Sequence, residues 1–239
     1  MKKLFICFFT AVCLTALGAE SSAAAFFNIL RDSSARNGST YGVLEGTATH
    51  IRREKGRKIV EEYPCFMAVI ITPGRSITQI ILDNSEGYLI GRVQNESTSI
   101  RRLSKKNGIM ERIGVSPRDL SMSFLDSKFI RELPQETLRM VGCRVLLLHD
   151  QKQKEWIKIY AAKEYYFVLK AEFFTSEPDA KSIPSRTLEV NSFAQKNNLY
   201  YTRSIEVSGP GWRTDIAFDK ADMNIYKAEQ GTGIFRNLK

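Results

Sequence analysis

Hydrophobic positions in this chain recur mostly with a period of two, the signature of half-buried strands. The clearest run is Tyr165 to Phe174, where Tyr165, Phe167, Leu169, Ala171 and Phe173 share one side and Lys170 and Glu172 mark the other as wet. Just before it, Trp156 to Ala161 alternates Ile157, Ile159 and Ala161 with Trp156, Lys158 and Tyr160, and the polar break at Ala162 to Glu164 suits a hairpin. Further strands are predicted over Tyr41–Arg53, Lys58–Thr72, Ile77–Leu82 and Tyr88–Gln94, punctuated by Gly56, Pro73-Gly74, Asp83-Asn84 and Glu86-Gly87. They resume over Val141–His149, Thr187–Phe193, Tyr200–Val207 and Arg213–Phe218. Met223–Lys239, with Ile234-Phe235 in polar surroundings, is expected as a tail packed on the sheet edge.

Three short stretches break this rhythm. Phe26-Phe27-Asn28-Ile29-Leu30 begins a segment with near-helical spacing that ends at Asn37-Gly38, a short amphipathic helix. Ser116-Pro117-Arg118-Asp119 presents an N-cap, a proline at the first helical position and an acid in the first turn, and its apolar residues include Leu120, Phe124 and Leu125. A second helical piece is expected to hold Phe129, Ile130 and Leu133 before Pro134.

The prediction is therefore a mainly β protein with a few helices, in one domain. A sheet of about ten strands curls, and short helices covering it enclose either a cavity or a core filled by side chains such as Phe167 and Phe173. Cavity-facing candidates from the alternation are Val145 and Leu147, Ile157 and Ile159, then Phe167, Leu169 and Phe173. Met67, Val69, Ile71, Ile80, Leu82 and Leu89 join them, although Cys65 to Ile71 is apolar on both faces and its register is ambiguous.

Composition changes this picture little: 43% of the 239 residues are hydrophobic, ordinary for a soluble globular chain. The N-terminus changes it more. Lys2 and Lys3, the apolar run Leu4 to Leu17 and the small residues Ser22-Ala23-Ala24-Ala25 read as a cleavable export signal over residues 1–25, leaving one domain over 26–239. The expected compartment is the periplasm, and Val12 directly before Cys13 does not suit a lipoprotein signal. Of the cysteines left, Cys65 and Cys143 could pair in an oxidising compartment or stay as two buried thiols.

The net charge of +9 comes from 35 Lys and Arg against 26 Asp and Glu. Its clusters, Arg52-Arg53-Glu54-Lys55-Gly56-Arg57-Lys58 and Arg101-Arg102 with Lys105-Lys106, fall where hairpin turns are expected and read as solvated tips. If they dock, an exported chain would meet anionic lipid head groups or an acidic partner, and no nucleic acid is expected. His50 and His149 lie far apart with no ligand neighbours at metal-site spacing, and there is no nucleophile elbow, HExxH motif, P-loop or dinucleotide fingerprint. Glu61 and Glu62 point to opposite faces of their strand, so they are no acid–base pair. Neither an enzyme nor a cofactor is predicted.

The order of the parts resembles a known family. After the signal and the short helix come Y-G-V-L-E-G-T-A-T, a meander, S-P-R-D-L-S leading into F-L-D-S-K-F, then V-G-C-R-V-L-L-L, W-I-K-I-Y-A, Y-Y-F-V-L-K-A-E-F-F and a late W-R-T-D-I. From Thr40 to Leu238 this is similar to the outer-membrane lipoprotein-sorting proteins, the LolA-like group, and in particular its less characterised bacterial branch. The resemblance implies a half-open antiparallel β-barrel with helices as a lid over a hydrophobic cavity. It further implies a monomer that binds acyl chains of lipoproteins or lipids, with an inner-membrane donor and an outer-membrane acceptor as partners. An acyl chain costs about 0.8 kcal/mol per methylene exposed to water, which is why ferrying it needs a pocket that opens and recloses. The arginine that helps hold the lid of the well-known carriers has no fixed counterpart here, with Arg31, Arg36 and Arg52 all open. Two other readings stay beside this one: an envelope-stress sensor resembling RseB, and a non-catalytic adaptor with a filled core.

Overall fold

Residues 22–32, 38–94, 96, 98–104, 108–227 and 233–238 are described by the computed structural model. Most of the expected export signal, and Arg36, lie outside them. Helix α1 (Ala23–Asp32) begins within the small-residue stretch expected for cleavage. Five strands follow: β1 (Thr40–Glu54), β2 (Arg57–Thr72), β3 (Arg75–Leu82), β4 (Glu86–Val93) and β5 (Ser99–Arg102). A helical interval holds α2 (Ile109–Arg112), α3 (Pro117–Leu120) and a 3-10 turn (Ser123–Asp126). Seven strands complete the chain: β6 (Lys128–Leu138), β7 (Val141–Asp150), β8 (Glu155–Ala162), β9 (Val168–Phe174), β10 (Arg186–Lys196), β11 (Leu199–Gly209) and β12 (Trp212–Ile225).

All twelve strands form one sheet in the order β5-β4-β3-β2-β1-β12-β11-β10-β9-β8-β7-β6, and each neighbouring pair is antiparallel. It is thus two meanders joined side by side through β1 and β12. The sheet is not closed, and β5 and β6 are its edges. Its tight turns use paired left-handed residues, such as Lys55-Gly56 (φ 49° and 79°) and Asn197-Asn198 (φ 49° and 61°), the geometry that matches strand twist in short hairpins.

One face of the sheet carries the main core. Its contributors include Leu44 and Ala48, Ile80 and Leu82, Leu146 and Leu148, Ile157 and Ile159, Phe173, Val207, Ile216 and Phe218. Phe26, Phe27 and Leu30 of α1 pack onto it, with Phe27 stacked 5.6 Å from Phe129. Phe124 of the helical interval meets the edge of Phe173 at 5.6 Å. The middle of the curled sheet is therefore filled by side chains.

Several expectations need correction. The stretch holding Phe129, Ile130 and Leu133 is not helical but edge strand β6, whose pairing with β7 shifts twice. Tyr165 to Phe167 precede the strand rather than belonging to it; Tyr166 has φ 54° and β9 starts at Val168. Strand β12 runs on to Ile225. Residues 233–238 lie not on the edge but on the outer face, where Ile234, Phe235 and Leu238 cover Phe66, Ala68 and Ile81. Cys65 and Cys143 are free and buried, one in the main core and the other in a separate outer cluster with Val145 and Tyr160. Burial pushes the Cys65 thiol up to about 12 and raises that of Cys143 as well, so both are inert.

On the outer face of the second meander, Glu206 stands directly opposite Asp215 on one side and Glu189 on the other. Burial first, then the Asp215 carboxylate, raises the Glu206 pKa above the usual value. The folded chain therefore holds this proton more tightly than the unfolded one, and the stability it lends is lost as pH rises through the folded pKa. Glu206→Gln is expected to stabilise the protein by about 0.5–1 kcal/mol at pH 7, with the gain fading as pH falls through the raised folded pKa and gone below pH about 4.3. Urea titrations of both proteins at several pH values read this directly.

Candidate functional site

β5 and β6 are opposite edges of one sheet, and residues 108–127 between them lie over its inner face, where Ile109, Met110, Ile113 and Phe124 join the main core. That geometry makes the helical interval a lid. Its start is held by Glu86 of β4, whose side chain is fully enclosed. The carboxylate accepts from the backbone N–H of Ile109 at 2.6 Å and of Met110 at 3.2 Å, from the Tyr88 hydroxyl at 2.6 Å and from the Arg102 guanidinium at 2.7 Å. Burial alone would raise the Glu86 pKa, but these hydrogen bonds and the Arg102 charge outweigh it and hold the group below the usual carboxylate range.

The middle of the lid rests on the sheet centre. Thr214 donates to the carbonyl of Ile113 at 2.5 Å and lies 2.9 Å from Nδ1 of buried His50. Gly114 has φ +71°, and a Cβ there would come within 2.2 Å of the Trp212 ring, so both backbone and space call for glycine. The far end carries the predicted Ser116 cap as a full capping box with Asp119. Asp119, itself fully buried, also accepts from Arg186 of β10 at 2.5 and 2.6 Å, while that guanidinium lies 3.8 Å over the Phe173 ring. Arg118 pairs with Asp150, and Arg92 with Asp126 at 2.6 Å. The lid is thus tied to both meanders by buried or half-buried charges.

Helix α1 is held differently. Its Phe26 ring lies 4.6 Å under the guanidinium of Arg144, which is bound by Glu132 at 2.6 and 2.7 Å, and 5.1 Å from the Tyr166 ring. Apolar contact and a cation–π stack hold it here, together with a hydrogen bond from the Gln94 amide to Asp32 at 3.4 Å. Of the arginines left open by the sequence, Arg52 pairs with Glu61 on the β1–β2 hairpin at 2.7 Å, and Arg31 sits on α1 beside Asp32.

Between α1, the end of the lid and the inner face lies a cavity of about 470 Å³. Val69 and Ile71 of β2, Thr78 of β3 and Met223 of β12 form its floor, while Met122 and Leu125 come from the lid and Leu30 from α1. Tyr166, Phe167 and Phe193 wall its other side, with Phe167 and Phe193 stacked at 4.9 Å. Tyr165 and Tyr200, 64% and 60% exposed, stand at the rim. Through Arg31, Ile71, Ser76 and Arg92 it runs into a shallower, more polar cleft of about 300 Å³ that includes Arg75, Gln94, Asp32 and Asp126. The site is an apolar hollow with a charged mouth.

Of the residues singled out from the sequence, Val69, Ile71 and Phe167 line this cavity. Ile157, Ile159, Phe173, Ile80 and Leu82 are buried in the filled core beside it, and Met67 packs against that core. Val145, Leu147, Leu169 and Leu89 belong to the other face, a correction of register. Val145 and Leu147 stand opposite Tyr160 and Lys158, not opposite Ile159 and Ile157. A bulge between Tyr160 and Ala161 turns Leu169 outward into the Cys143 cluster, and Leu89 pairs with outward-facing Gln79. Sequence reasoning missed Tyr166, Phe193 and Met223 at the site; only Phe193 carried a usable signal, as the end of a predicted strand. No group of three metal-ligating side chains occurs among the described residues, and no helix there is long and apolar enough to cross a membrane.

The open antiparallel sheet crossed by a helical lid is a fold shared with solved structures of low sequence identity. The chain is similar to the structure of a DUF1329 family protein from Desulfovibrio piger, with a TM-score of 0.61 and 14% identity over 89% of this chain and 98% of that one. It is also similar to an outer membrane lipoprotein-sorting protein domain from Vibrio parahaemolyticus, with a TM-score of 0.57 and 13% identity over 87% and 96% of the two chains. A LolA superfamily protein from Nitrosomonas europaea aligns over 87% and 96%, with 11% identity and a TM-score of 0.45. No protein-family model and no curated protein matches the sequence. At these identities the likeness establishes the fold and leaves the ligand to be argued from the site.

Proposed function

We propose that this chain is a periplasmic carrier or binder of lipoproteins or other acylated ligands, acting by reversible burial of acyl chains and not by catalysis. The observation that carries this reading is the apolar cavity of about 470 Å³ beneath α1 and the lid, within the roughly 300–1,000 Å³ range of small-molecule sites. Each methylene that enters it is withdrawn from water, worth about 0.8 kcal/mol. The rim tyrosines suit the polar end of such a ligand, since a phenol presents an apolar ring and a hydrogen-bonding tip. The contrast between the salt-bridged lid and the apolar seat of α1 supports α1 as the part that moves when cargo enters. The export signal expected over residues 1–25 supports the periplasm as its place of work. In this reading an inner-membrane donor loads the cavity and an outer-membrane acceptor empties it.

The direct test is native mass spectrometry of the exported, gently purified protein before and after organic extraction. A bound species of acyl-chain mass that extraction removes is the expected result. An unliganded protein that also fails to take up an added fluorescent fatty acid would overturn the reading in favour of a filled-core adaptor.

A further inference from the structure

The outer face of the first meander carries a polar group where an apolar one would pack. Gln79 is only 3% exposed and stands opposite Ala68, in the same face as Phe66 and Ile81. Burying an amide is unfavourable unless both its ends are bonded. Both are: Nε2 donates to the carbonyl oxygen of Arg236 at 2.7 Å, and Oε1 accepts from the Arg236 backbone N–H at 2.8 Å. The side chain thus reads the main chain of one residue as a neighbouring strand would, whatever side chain that residue carries.

The surroundings complete a seat. Ile234, Phe235 and Leu238 pack on the Phe66, Ala68 and Ile81 cluster. Leu238 occupies the space over Gly87, where a Cβ would lie 2.1 Å from its methyl group. The Arg236 guanidinium lies 3.8 Å over the Phe66 ring and pairs with Glu45. None of these contacts belongs to the ladder beneath them, because β2 and β3 pair from Cys65–Leu82 to Thr72–Arg75 on their own account.

We propose that this face is a docking groove for an extended peptide segment of a partner protein, and that the chain's own C-terminal segment is its resting occupant. The segment it fits has the order aliphatic, aromatic, basic, any residue, leucine, as in Ile234 to Leu238, with a free backbone N–H at the basic position. A tethered occupant competes at millimolar effective concentration, so a partner engages only by outbidding it. This site is separate from the lipid cavity and stands or falls without it.

The test uses the full chain with Phe235→Asp and Leu238→Asp, which release the segment, and a fluorescent peptide with the sequence of residues 233–239. The released variant should bind the peptide saturably, and the unmodified chain about tenfold more weakly or worse. Adding Gln79→Leu to the released variant should weaken binding by about tenfold. A released variant that keeps its strand signal in circular dichroism but does not bind overturns the proposal, as does equal binding by the unmodified chain or by a scrambled peptide. Loss of the strand signal on release also overturns it, since the segment would then be part of the core.

Discussion

Replacing Glu86 with alanine is expected to destabilise the protein by about 3–4 kcal/mol, seen as a lower urea midpoint with little change in slope. The carboxylate is fully enclosed and serves four donors at once: two backbone N–H groups at the start of α2, a phenol and a guanidinium. Removing it leaves those donors facing one another without an acceptor, and an unsatisfied buried donor costs about 1–3 kcal/mol. Glu86→Gln keeps the volume but turns an NH₂ toward groups that already donate, so it should fall between the wild type and alanine. The pH dependence separates the charge from the shape. Since the folded pKa lies below the ordinary value, the carboxylate's contribution is present above pH about 4.3 and is lost as pH falls through the folded pKa. In the glutamine variant that acid-sensitive component should be missing. An unchanged acid limb would show that Glu86 does not hold the lid.

For ligand uptake the largest effect is expected at Val69. It is a half-buried floor residue of the cavity, and Val69→Glu places a carboxylate where an acyl chain would have to displace its water. Fatty-acid affinity should fall about a hundredfold or more, because a desolvated charge with no partner costs well over 2.7 kcal/mol. Leu169→Glu is the matched control: it adds the same charge on the outer face, beside Tyr160, and should leave uptake within about twofold. Fluorescent fatty-acid titration of both folded variants decides the matter, and equal affinities would mean that the cavity is not the binding site.

The strands were legible because most are wet on one side, as β1 and β12 show in their alternating burial. Register was not legible where that contrast vanishes. Cys143 to Leu148 of β7 are buried on both faces, so alternation carries no sign there and Val145 and Leu147 could not be assigned a side. Leu169 was misplaced by a bulge, which no local pattern announces. Phe129, Ile130 and Leu133 mimic helical spacing only because β6 slips twice against its neighbour. The Ser116 cap was read correctly, its donors and acceptors lying within one turn. The roles of Glu86 and Gln79 were invisible for the opposite reason, since the backbone groups they bind stand 23 to 24 and 157 residues away in the chain.

The pairing of β1 with β12 sets the order in which this protein can be made. The seam places Thr40 against Ile225 at the heart of the sheet, so the first strand synthesised waits almost the whole chain for its partner. Each meander can zip locally, hairpin by hairpin, but the two halves become one sheet only after the last strand has emerged. Loop closure over such a span is slow more than it is unfavourable, and until it happens β1 and β12 are open edges. A nascent chain therefore cannot complete its fold early, and closing this seam is the last step of its folding.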